Sequence, residues 1–343
     1  MGYPKIRLVK MKKYFLYLSI FHTICFSQWF DIDFDGVSRV YYVSYPGGYS
    51  SPSGLIVNMH GFGGNASSQI SGTQMDIYAH QQNIAVVYPQ GVNSDIGSTS
   101  WNVGTFWDFN SEDDVGFISA VIDAVASSFE IDLNRVYACG YSNGGYMAYE
   151  LACELSDKVT AFGSVAGNFM LNSNQSCDGD RYIPIIHFHG TNDATVDYFP
   201  PSFDQALTVE QSIEYWNGYN NFNLESSESI NSYVEVYKYF NDFSQAKFVH
   251  FKVNGGQHEW FWNNWGFNAS EELVNFFSQY KLTDFIYSDL LGDLNGDETL
   301  NIQDVVLLVE LVLVDDYEEV ADLNLDASVD VLDIVQLVDS ILN

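Results

Sequence analysis

RVYACGYSNGGYMAYEL, residues Arg135–Leu151, joins a run of apolar residues to a segment with helical spacing through a tight, glycine-rich corner. The apolar run ends at Gly140, a single serine follows at Ser142, and the helical spacing begins beside Gly144 and Gly145. Glycine suits these positions because a side chain would crowd so tight a turn. The pattern predicts a strand, a sharp turn that holds Ser142 exposed in a strained backbone conformation, and a helix.

Strand-like and helix-like segments alternate on both sides of this corner, from Trp29 to about Thr283. Short apolar runs predict the strands SRVYYVSYP, GLIVNMHG, IAVVYPQG, RVYACGYS and IPIIHFHG. Helical spacing predicts DVGFISAVIDAVASSF and GGYMAYELACEL as helices, the first beginning at Asp114. The alternation indicates an α/β protein with a mainly parallel sheet covered on both faces. In such sheets, ligands bind at the carboxyl ends of the strands.

The chain is strongly acidic, with 45 acidic and 13 basic residues among 343 and a formal net charge of −32. Five of the basic residues and none of the acidic ones lie within the first 28 positions, so the remainder is more acidic still. Nucleic acid and anionic membranes are therefore poor partners, because both would be repelled. The acidity fits calcium binding, a salty habitat or simple solubility.

Residues 1–28 have the layout of a secretory signal peptide. Basic residues precede the apolar run YFLYLSIFHTICF, which is short for a bilayer span, and Ser27 supplies a small residue for cleavage. We therefore expect a secreted protein that is extracellular or attached to the cell surface, with Met11 as an alternative start. An N-terminal membrane anchor is the other interpretation, whereas Cys25 lacks the small residues expected ahead of a lipidated cysteine.

Three cysteines follow that segment. Cys139 lies in the apolar run before the serine corner, where a buried free thiol is expected. Cys153 and Cys177 could form a disulfide in an oxidising compartment. The sequence does not determine the connectivity, so this pairing stays open.

Ser142 needs two partners to act as a nucleophile, because a serine hydroxyl reacts weakly near neutral pH. A base must take its proton and a carboxylate must orient that base, in the chain order serine, acid, histidine. Asp193 follows the strand IPIIHFHG, and His258 lies on the glycine-flexed loop KVNGGQHEWFW. Asp197 is a rival acid four positions later, and turn capping is the alternative role of either aspartate.

Two backbone N–H groups would complete the site as an oxyanion hole. They belong to Asn143 at the helix start and to Phe62 in the glycine-rich segment NMHGFGGNA. We expect His60 to brace the loop that carries Phe62. His187 and His189 alternate with apolar residues along a strand, so we expect them in or near the core.

Five motifs occur together in one order: HGFGGNA, WDFNSEDDVGFISAVID, DLNRVYACGYSNGGYMAYELAC, HGTNDATVDY and GGQHEW. This set resembles the secreted α/β-hydrolase esterases that include polyhydroxybutyrate depolymerases and feruloyl or acetyl xylan esterases. The resemblance covers most of residues 35–280 and implies an α/β-hydrolase fold. It also implies Ser142 as nucleophile, His258 as base and Asp193 as acid, with the oxyanion hole described above and no cofactor for catalysis.

The same resemblance places aromatic residues around the cleft, namely Trp101, Trp107, Trp262 and Trp265. We predict that Trp107 and Trp265 bind substrate, because an aromatic wall can stack on a feruloyl ring, a sugar or a polyester repeat. Core packing is the alternative role of each tryptophan. Many relatives have threonine and tryptophan after the histidine, whereas here Glu259 precedes Trp260, which implies a different local loop shape.

A second, smaller domain is predicted after a change of composition near Asp284. From Gly292 onward the sequence has no basic residue and contains two similar segments, DLNGDETLNIQDVVLLVELVL and DLNLDASVDVLDIVQLVDSIL, which start 29 residues apart. An internal duplication of this kind indicates a separate unit. We therefore divide the chain into a signal peptide at 1–28, an α/β-hydrolase esterase domain at 29–283, a linker at 284–291 and a duplicated domain at 292–343.

Each repeat carries oxygen-bearing side chains at positions 1, 3, 5, 7, 9 and 12 of a calcium loop. They are Asp293, Asn295, Asp297, Thr299, Asn301 and Asp304 in the first copy, and Asp322, Asn324, Asp326, Ser328, Asp330 and Asp333 in the second. With one apolar helix after each loop, the segment resembles a type I dockerin, a small all-α domain, which implies bound Ca²⁺ and a cohesin-type partner. Glu298 and Ala327 occupy the sixth position of each loop, where glycine is favoured for the turn. The alternative interpretation of the segment is an acidic helical tail that binds no metal.

The leading interpretation is a serine carboxylic-ester hydrolase that acts through an acyl-enzyme intermediate on feruloyl or acetyl esters of xylan-type polysaccharides. A polyhydroxyalkanoate or another polyester, including an aromatic one, is the alternative substrate. An alternative from another class is a non-catalytic binding or adhesion protein whose working part is the dockerin-like domain. Fold alone does not assign the substrate.

Overall fold

The computed structural model describes residues 26–103, 110–170, 177, 181–200, 206–241, 244–286, 291–295, 299–314, 318–324, 326 and 328–342. The predicted signal segment lies outside the described residues up to position 25, and the first strand begins at Phe26, inside the predicted segment. Within the described ranges, no helix combines the length and the apolar character that crossing a membrane requires.

The described strands form one large sheet and one small hairpin. In chain order they are β1 Phe26–Phe34, β2 Val37–Tyr45, β3 Ser53–Met59, β4 Ile84–Pro89, β5 Val92–Asn93, β6 Thr99–Ser100, β7 Ile131–Tyr141, β8 Ala161–Val165, β9 Ile185–Gly190, β10 Leu224–Ser229, β11 Val234–Phe240 and β12 Phe248–Val253. Ten of them follow the order β1-β2-β4-β3-β7-β8-β9-β12-β11-β10, while β5 pairs with β6. The pairings from β4 to β12 are parallel, and those at both edges are antiparallel.

The described α-helices are α1 Ala66–Thr73, α2 Met75–Ala79, α3 Asp114–Ser128, α4 Asn143–Glu154, α5 Val209–Tyr219, α6 Ala269–Phe277, α7 Thr283–Ile286, α8 Ile302–Val314 and α9 Val331–Leu342. Helices from the region before α7 cover both faces of the mixed sheet. The apolar faces of α3, α4 and α5 form one core with Trp101 and Trp216, and α1, α2 and α6 contribute to a second core with Phe261 and Phe277. Each large side chain buried in this way stabilises the fold by about 1.5–3 kcal/mol.

All five strands and both helices that the sequence predicts are present, and α3 begins at Asp114. Asp113 caps this helix, because its side chain accepts a hydrogen bond from the Gly116 N–H at 2.8 Å. The sequence analysis did not identify the other strands, namely β1, the two-residue strands β5 and β6, β8, β10, β11 and β12. Strand β10 is exposed at every position, so it has none of the apolar alternation by which a strand is recognised.

The cysteines behave as their sequence context suggests. Cys139 is a buried free thiol on β7, and burial raises its pKa far above the ordinary value. Cys153, near the end of α4, forms a disulfide with Cys177. This bond resolves the connectivity that the sequence leaves open.

The duplicated segment has a small core of its own. Helices α8 and α9 pack together, and the buried members of their core are Leu308, Ala321, Leu323 and Leu337. Leu308 and Leu337 occupy equivalent positions in the two repeats, as the duplication predicts. Helix α7 lies at the start of the predicted linker, and residues 287–290 lie outside the described ranges.

Candidate active site

Ser142 stands at the corner between β7 and α4 in a strained backbone conformation, with φ 53° and ψ −119°. A positive φ is costly for a residue with a Cβ and persists only when its surroundings hold it there. The Ser142 N–H donates to the Val165 carbonyl at 2.8 Å, and the Ser142 carbonyl accepts from the Gly145 N–H at 2.7 Å. These bonds tie the corner to β8 and to the first turn of α4.

Glycine at this corner is required by close approach of the backbone. A Cβ at Gly140 would collide with the backbone of Gly144, and a Cβ at Gly144 would collide with the carbonyl oxygens of Met59 and His60. Because these contacts involve backbone atoms, a rotamer change could not relieve them. The glycines therefore let α4 start directly against the end of β3, which carries the loop with Phe62.

The structure brings Ser142, His258 and Asp193 together. His258 lies between β12 and α6, and its Nε2 is 2.9 Å from Ser142 Oγ. Its Nδ1 is 2.7 Å from Asp193 Oδ2, just beyond the end of β9. Both separations lie within the range that proton transfer between a nucleophile and its base requires. The rival acid Asp197 is exposed to solvent.

Asp193 is held as a buried anion by several donors. Its Oδ1 accepts from the N–H groups of Thr195 and Val196, each at 2.8 Å, and its Oδ2 lies 3.4 Å from His189 Nε2. Burial opposes ionisation of this carboxyl, but the hydrogen bonds from His189, His258 and Val196 outweigh it and hold the Asp193 pKa below its usual range. The acid is therefore charged and oriented before substrate arrives.

A chain of buried hydrogen bonds continues behind Asp193. His189 Nε2 lies 2.9 Å from the Val196 carbonyl, which can only accept, so the His189 proton is on Nε2. His189 Nδ1 then accepts from His187 Nε2 at 3.1 Å, and His187 Nδ1 accepts from the Tyr149 hydroxyl at 2.6 Å. Burial lowers the pKa of His187 well below its ordinary value, so the ring stays neutral.

The sequence correctly predicts His187 and His189 as core residues, but it misses the contact between His189 and Asp193. The signal is the four-residue spacing between His189 at the end of β9 and the acid that follows it. His250 on β12 is also buried, accepts from the Tyr198 hydroxyl at 2.9 Å and donates to the His187 carbonyl at 3.2 Å. Burial lowers the pKa of His250 to about 3.

Asn143, the first residue of α4, lies beside the nucleophile. A residue in the first turn of a helix has no carbonyl within that helix to accept its N–H, which leaves this donor for another acceptor. The Asn143 side chain is engaged elsewhere, because Oδ1 accepts from the Trp101 N–H at 2.7 Å and Nδ2 donates to the Trp101 carbonyl at 3.2 Å. These two bonds fix the start of α4 to the segment after β6.

Phe62 lies on the loop between β3 and α1, and hydrogen bonds hold the backbone on both sides of it. The Gly63 N–H donates to the Thr99 carbonyl at 2.8 Å, and the Gly64 N–H donates to the Gly61 carbonyl at 3.0 Å. Strand β6 therefore supports the loop from one side. The Phe62 side chain is 40% exposed, so the aromatic ring lies at the surface of the site.

His60 braces this loop, as the sequence predicts. Its Nε2 accepts from the Gly91 N–H at 3.0 Å, so its proton is on Nδ1 and is donated to the Gly61 carbonyl at 2.8 Å. Trp101 Nε1 donates to the His60 carbonyl at 2.8 Å. Burial lowers the pKa of His60 to about 4, so the ring is neutral at neutral pH and keeps this donor and acceptor arrangement.

A cavity of about 270 Å³ opens beside the loop. It lies between the loop, α1 and the aromatic rings of Tyr141 and Trp260. The Tyr141 ring is 5.1 Å from the His258 ring, and its hydroxyl donates to the His258 carbonyl at 2.9 Å. The cavity is therefore adjacent to the three residues that the structure brings together.

The predicted aromatic residues lie in different surroundings. Trp101 is completely buried, and Trp107 lies outside the described residues. Trp265 is half-buried, and its ring contacts those of Tyr233 and Phe261. The sequence analysis missed Tyr141 and Trp260 as cavity residues, although Tyr141 directly precedes Ser142 and Trp260 lies two positions after His258.

The two loops of the duplicated segment fold alike around their last aspartate. Asp304 accepts from the N–H groups of Asn295 at 3.3 Å and Asn301 at 2.9 Å. Asp333 accepts from the equivalent N–H groups of Asn324 at 3.1 Å and Asp330 at 2.8 Å. The first and last aspartates of both loops are buried, namely Asp293, Asp304, Asp322 and Asp333.

This donor set consists of carboxylate, amide and hydroxyl oxygens, which are the ligands that Ca²⁺ prefers. Among the described residues, no set of three or more His, Cys, Asp or Glu side chains is positioned to hold a metal ion. The predicted ligand Asp297 lies outside the described residues. The predicted ligands Asn295, Thr299, Asn324, Asp326 and Ser328 are described, and they lie on the loops that precede α8 and α9.

Comparisons with known proteins agree with this fold. The model of the phospholipase/carboxylesterase family matches residues 48–232, more than half of the chain. The chain also superposes on an acetyl xylan esterase from Aspergillus awamori with a TM-score of 0.54 and 16% identity, covering 73% of this chain and 99% of that one. This likeness confirms the predicted α/β-hydrolase fold, with a central mixed sheet.

Several curated proteins are similar in sequence, and two of them show the extent of the similarity. A bifunctional acetylxylan esterase/xylanase from Neocallimastix patriciarum is 29% identical over 163 residues, which are 48% of this chain and 22% of that protein. Feruloyl esterase B from Piromyces equi is 31% identical over 160 residues, which are 46% of this chain and 29% of that protein. The chain therefore matches less than a third of the length of either relative.

Proposed function

The chain belongs to the phospholipase/carboxylesterase family, and on that premise we propose that it is a serine carboxylic-ester hydrolase. The observation that carries this proposal is the continuous hydrogen-bonded series Ser142, His258 and Asp193, with separations of 2.9 and 2.7 Å. A strained serine, a base within reach of its hydroxyl and a buried carboxylate that orients the base are the three requirements of nucleophilic acyl transfer.

In the proposed reaction, His258 Nε2 takes the proton of Ser142 Oγ as this oxygen attacks the ester carbonyl carbon. The carbonyl oxygen becomes an anion and accepts hydrogen bonds from the N–H groups of Phe62 and Asn143. Loss of one such donor typically costs about 3 kcal/mol of transition-state stabilisation. Asp193 stays ionised throughout, keeps the Nδ1 proton on His258 and stabilises the imidazolium.

The intermediate collapses when the ester C–O bond breaks and the imidazolium gives its proton to the departing alcohol. Ser142 then carries the acyl group. A water molecule attacks this acyl-enzyme, with His258 again accepting the proton, and the carboxylic acid leaves as Ser142 Oγ is reprotonated. These residues supply every proton transfer, so the chemistry needs no cofactor.

For the substrate, we infer feruloyl or acetyl esters on a xylan-type polysaccharide. Similarity to an acetylxylan esterase/xylanase and to a feruloyl esterase supports this inference. The aromatic residues Phe62, Tyr141 and Trp260 beside the site suit a planar acyl group. A polyhydroxyalkanoate or another polyester is the second candidate, since the proposed machinery cleaves any accessible carboxylic ester. Trp107 and Trp265 stay proposed substrate contacts.

Rates on p-nitrophenyl acetate, methyl ferulate, acetylated xylan and polyhydroxybutyrate test these proposals together. We expect turnover of the first substrate and the highest kcat/KM on an ester of the xylan type. If polyhydroxybutyrate were hydrolysed fastest, the proposed substrate would change to a polyester, but the proposed ester hydrolysis would stand. Absence of turnover on every ester, with and without Ca²⁺, would favour the non-catalytic binding protein.

We propose that the duplicated segment is a dockerin-like domain that binds Ca²⁺ through both loops. Its support is the repeated arrangement around Asp304 and Asp333, together with the absence of any basic residue from Gly292 onward in the sequence. Two positive charges from a bound cation would balance the buried carboxylates of each loop. The residues that would hold the ion are the loop positions named in the sequence analysis.

A partner protein of the cohesin type would tether the enzyme through this domain. Apolar side chains exposed on α8 and α9 support a protein partner, and they include Ile302, Val306, Leu313, Val331, Val335 and Leu342. Export from the cell is supported by the basic and apolar segment before residue 28 and by the Cys153–Cys177 disulfide, which persists in oxidising compartments.

Removal of residues 292–343 tests the proposed division into domains. We expect the shortened protein to hydrolyse p-nitrophenyl acetate at the rate of the full chain, because the proposed catalytic residues all precede the segment. Inactivity of a shortened protein whose circular dichroism matches the α/β fold would contradict the division.

A further inference from the structure

The buried hydrogen bonds behind Asp193 lead back to the helix that begins at the serine corner. Ser142 is the N-cap of α4, and Tyr149 lies farther along the same helix. The Tyr149 hydroxyl donates to His187 Nδ1 on β9 at 2.6 Å. His187 and His189 lie two positions apart on this strand, so their side chains point to the same face of the sheet. Side chains thus join α4, which carries the proposed nucleophile, to the strand that precedes the proposed acid.

These bonds and the contacts of the proposed catalytic residues form a closed ring. From Ser142 the ring passes to His258 at 2.9 Å and then to Asp193 at 2.7 Å. It returns to α4 with separations of 3.4, 3.1 and 2.6 Å through three buried side chains, which are His189, His187 and Tyr149. The nucleophile and the acid are therefore both tied to one helix, and the base lies between them.

The donors in the buried half of this ring all point toward Asp193. The Val196 carbonyl can only accept, so the His189 proton lies on Nε2, which is also the nitrogen beside Asp193 Oδ2. His189 Nδ1 then accepts from His187, and His187 accepts from the Tyr149 hydroxyl. Aligned hydrogen bonds polarise one another, so each bond in the series adds to the positive potential at the carboxylate.

Reversing this direction would turn a lone pair of His189 toward two acceptors, the Val196 carbonyl and Asp193. It would also make His187 Nδ1 a donor to the Tyr149 oxygen, so the Tyr149 hydroxyl proton would need another acceptor. Within the described part of the chain, His187 is the only hydrogen-bond partner of that hydroxyl. A buried donor without an acceptor is costly, so the Tyr149 hydroxyl favours the observed direction.

A second buried pair of the same kind lies beside the ring but does not lead to Asp193. The Tyr198 hydroxyl donates to His250 Nε2 at 2.9 Å, and His250 Nδ1 donates to the backbone carbonyl of His187 at 3.2 Å. This pair ends at a backbone acceptor, whereas the pair of Tyr149 and His187 continues to the acid. Comparing the two pairs separates the effect of a buried hydroxyl on folding from its effect on Asp193.

We propose that Tyr149, His187 and His189 are positioning residues, which tie Asp193 to the helix that begins at Ser142 and keep an N–H group directed at its carboxylate. The inference rests on the proposed esterase function, and none of the three residues is required to touch the substrate. Apolar side chains at these positions would fill the core without the cost of burying polar groups. A displaced acid would stabilise the imidazolium of His258 less in the transition state, so the expected loss is in kcat.

Tyr149→Phe and Tyr198→Phe test this role as a matched pair. Each substitution keeps the aromatic ring and removes one buried hydroxyl that donates to a histidine. We expect Tyr149→Phe to lower kcat on p-nitrophenyl acetate by about three- to tenfold with an unchanged KM, which is the effect of about one hydrogen bond. Tyr198→Phe should lose a similar amount of stability in urea but keep kcat within about twofold.

The protonated nitrogen of each histidine ring can be read directly by ¹⁵N NMR, without any substrate. In the unaltered protein we expect the proton on Nε2 of His187 and His189 and on Nδ1 of His250. Tyr149→Phe should shift part of the His187 population to Nδ1, whereas Tyr198→Phe should leave His187 and His189 unchanged. A proton on Nδ1 of His189 in the unaltered protein would overturn the proposal, and this reading is available even if Tyr149→Phe does not fold.

The results separate this inference from the proposed function. If kcat fell equally in the two tyrosine variants, or if Tyr149→Phe kept the kcat of the unaltered protein, the bonds would serve folding alone and the esterase proposal would stand. A change confined to KM in Tyr149→Phe would also overturn the positioning role. If the unaltered protein hydrolysed neither p-nitrophenyl acetate nor methyl ferulate, the esterase function itself would be rejected.

Discussion

The α/β-hydrolase region and the duplicated segment both bury aspartates, but they balance the negative charge differently. Asp114 in the hydrolase region forms a buried ion pair of 2.7 Å with Arg39, and Asp193 has His258 at 2.7 Å. The duplicated segment buries Asp304 and Asp333 completely, and its sequence from Gly292 onward contains no lysine, arginine or histidine. The first region therefore supplies an arginine and imidazole hydrogen-bond donors from its own sequence, whereas the second has no basic residue within its sequence.

This difference follows from the cost of burying a charge. An ionised carboxylate without an opposite charge is too costly to keep in the interior, so it must find a cation or take up a proton. Burial raises the pKa of Asp114, while Arg39, the Asn102 N–H and Asn110 act in the opposite direction. Among the described residues, Asp304 and Asp333 accept hydrogen bonds from backbone N–H groups, and an external cation would have to take the place that Arg39 has beside Asp114. We expect stability to depend on calcium in that segment alone.

The largest expected effect is on catalysis. Ser142→Ala removes the nucleophile and should lower kcat on p-nitrophenyl acetate by about 10⁴-fold or more. Calcium uptake measured by titration calorimetry should be unchanged, because the loops are independent of the serine corner. Ser127→Ala, at an exposed serine of α3, is the control and should keep full activity. Retention of more than a tenth of the rate would contradict the proposed mechanism.

The next effect is on the stability of the hydrolase region. Arg39→Met leaves Asp114 as an uncompensated buried charge and should lower the free energy of unfolding by about 3–5 kcal/mol, measured by urea denaturation. Lys238→Met breaks the exposed pair with Glu228 and should lower the free energy of unfolding far less, because solvent screens that pair. If both variants lost the same free energy of unfolding, the buried Arg39–Asp114 pair would stabilise the fold no more than the exposed Lys238–Glu228 pair does.

Calcium should stabilise the duplicated segment by a smaller amount. At a free concentration 100 times the dissociation constant, binding at one loop contributes about 2.7 kcal/mol. Chelation should therefore increase amide hydrogen exchange in α8 and α9 and leave the hydrolase region unchanged. Asp304→Ala or Asp333→Ala should each reduce the calorimetric stoichiometry by one ion, while Glu310→Gln on the exposed face of α8 should not. If the unaltered chain released or absorbed no heat on titration with Ca²⁺, the proposed calcium binding would be rejected.

The most gradual effect is a dependence of stability on pH in the hydrolase region, which accumulates over several pH units. In the folded state the pKa of His60 is about 4 and that of His250 about 3, both below the ordinary value of 6.5 because of burial. The unfolded chain therefore binds more protons between these values, so stability is complete above pH 6.5 and falls as the pH drops toward 4. Each histidine contributes a slope of at most about 1.4 kcal/mol per pH unit.

Urea unfolding at pH 7, 5.5 and 4.5 measures this slope. His60→Gln should lower stability at pH 7 and flatten the dependence between pH 6.5 and 4.5, because one of the two titrating rings is gone. If the slope of unfolding free energy against pH were unchanged in His60→Gln, His60 would not be the neutral ring that supports the Phe62 loop.

The elements that the sequence predicted well are those with local signals. The strand before Ser142 and the helix after it are marked by apolar spacing and by glycines whose Cβ would strike neighbouring backbone. Strand β8 is short and contains a glycine, and β10 is fully exposed, so neither has a clear periodicity. Their place in the sheet depends on pairing with strands distant in the chain.

The sequence by itself determined the serine corner, the order of the candidate catalytic residues and the duplication of the acidic loops, because each is a pattern of neighbouring residues. Only the tertiary structure decided which residues meet. The bonds from His258 to Ser142 and to Asp193 span 116 and 65 residues of chain. The contact of His189 with Asp193 likewise appears only after folding, since hydrogen-bond geometry depends on positions in space that sequence separation does not encode.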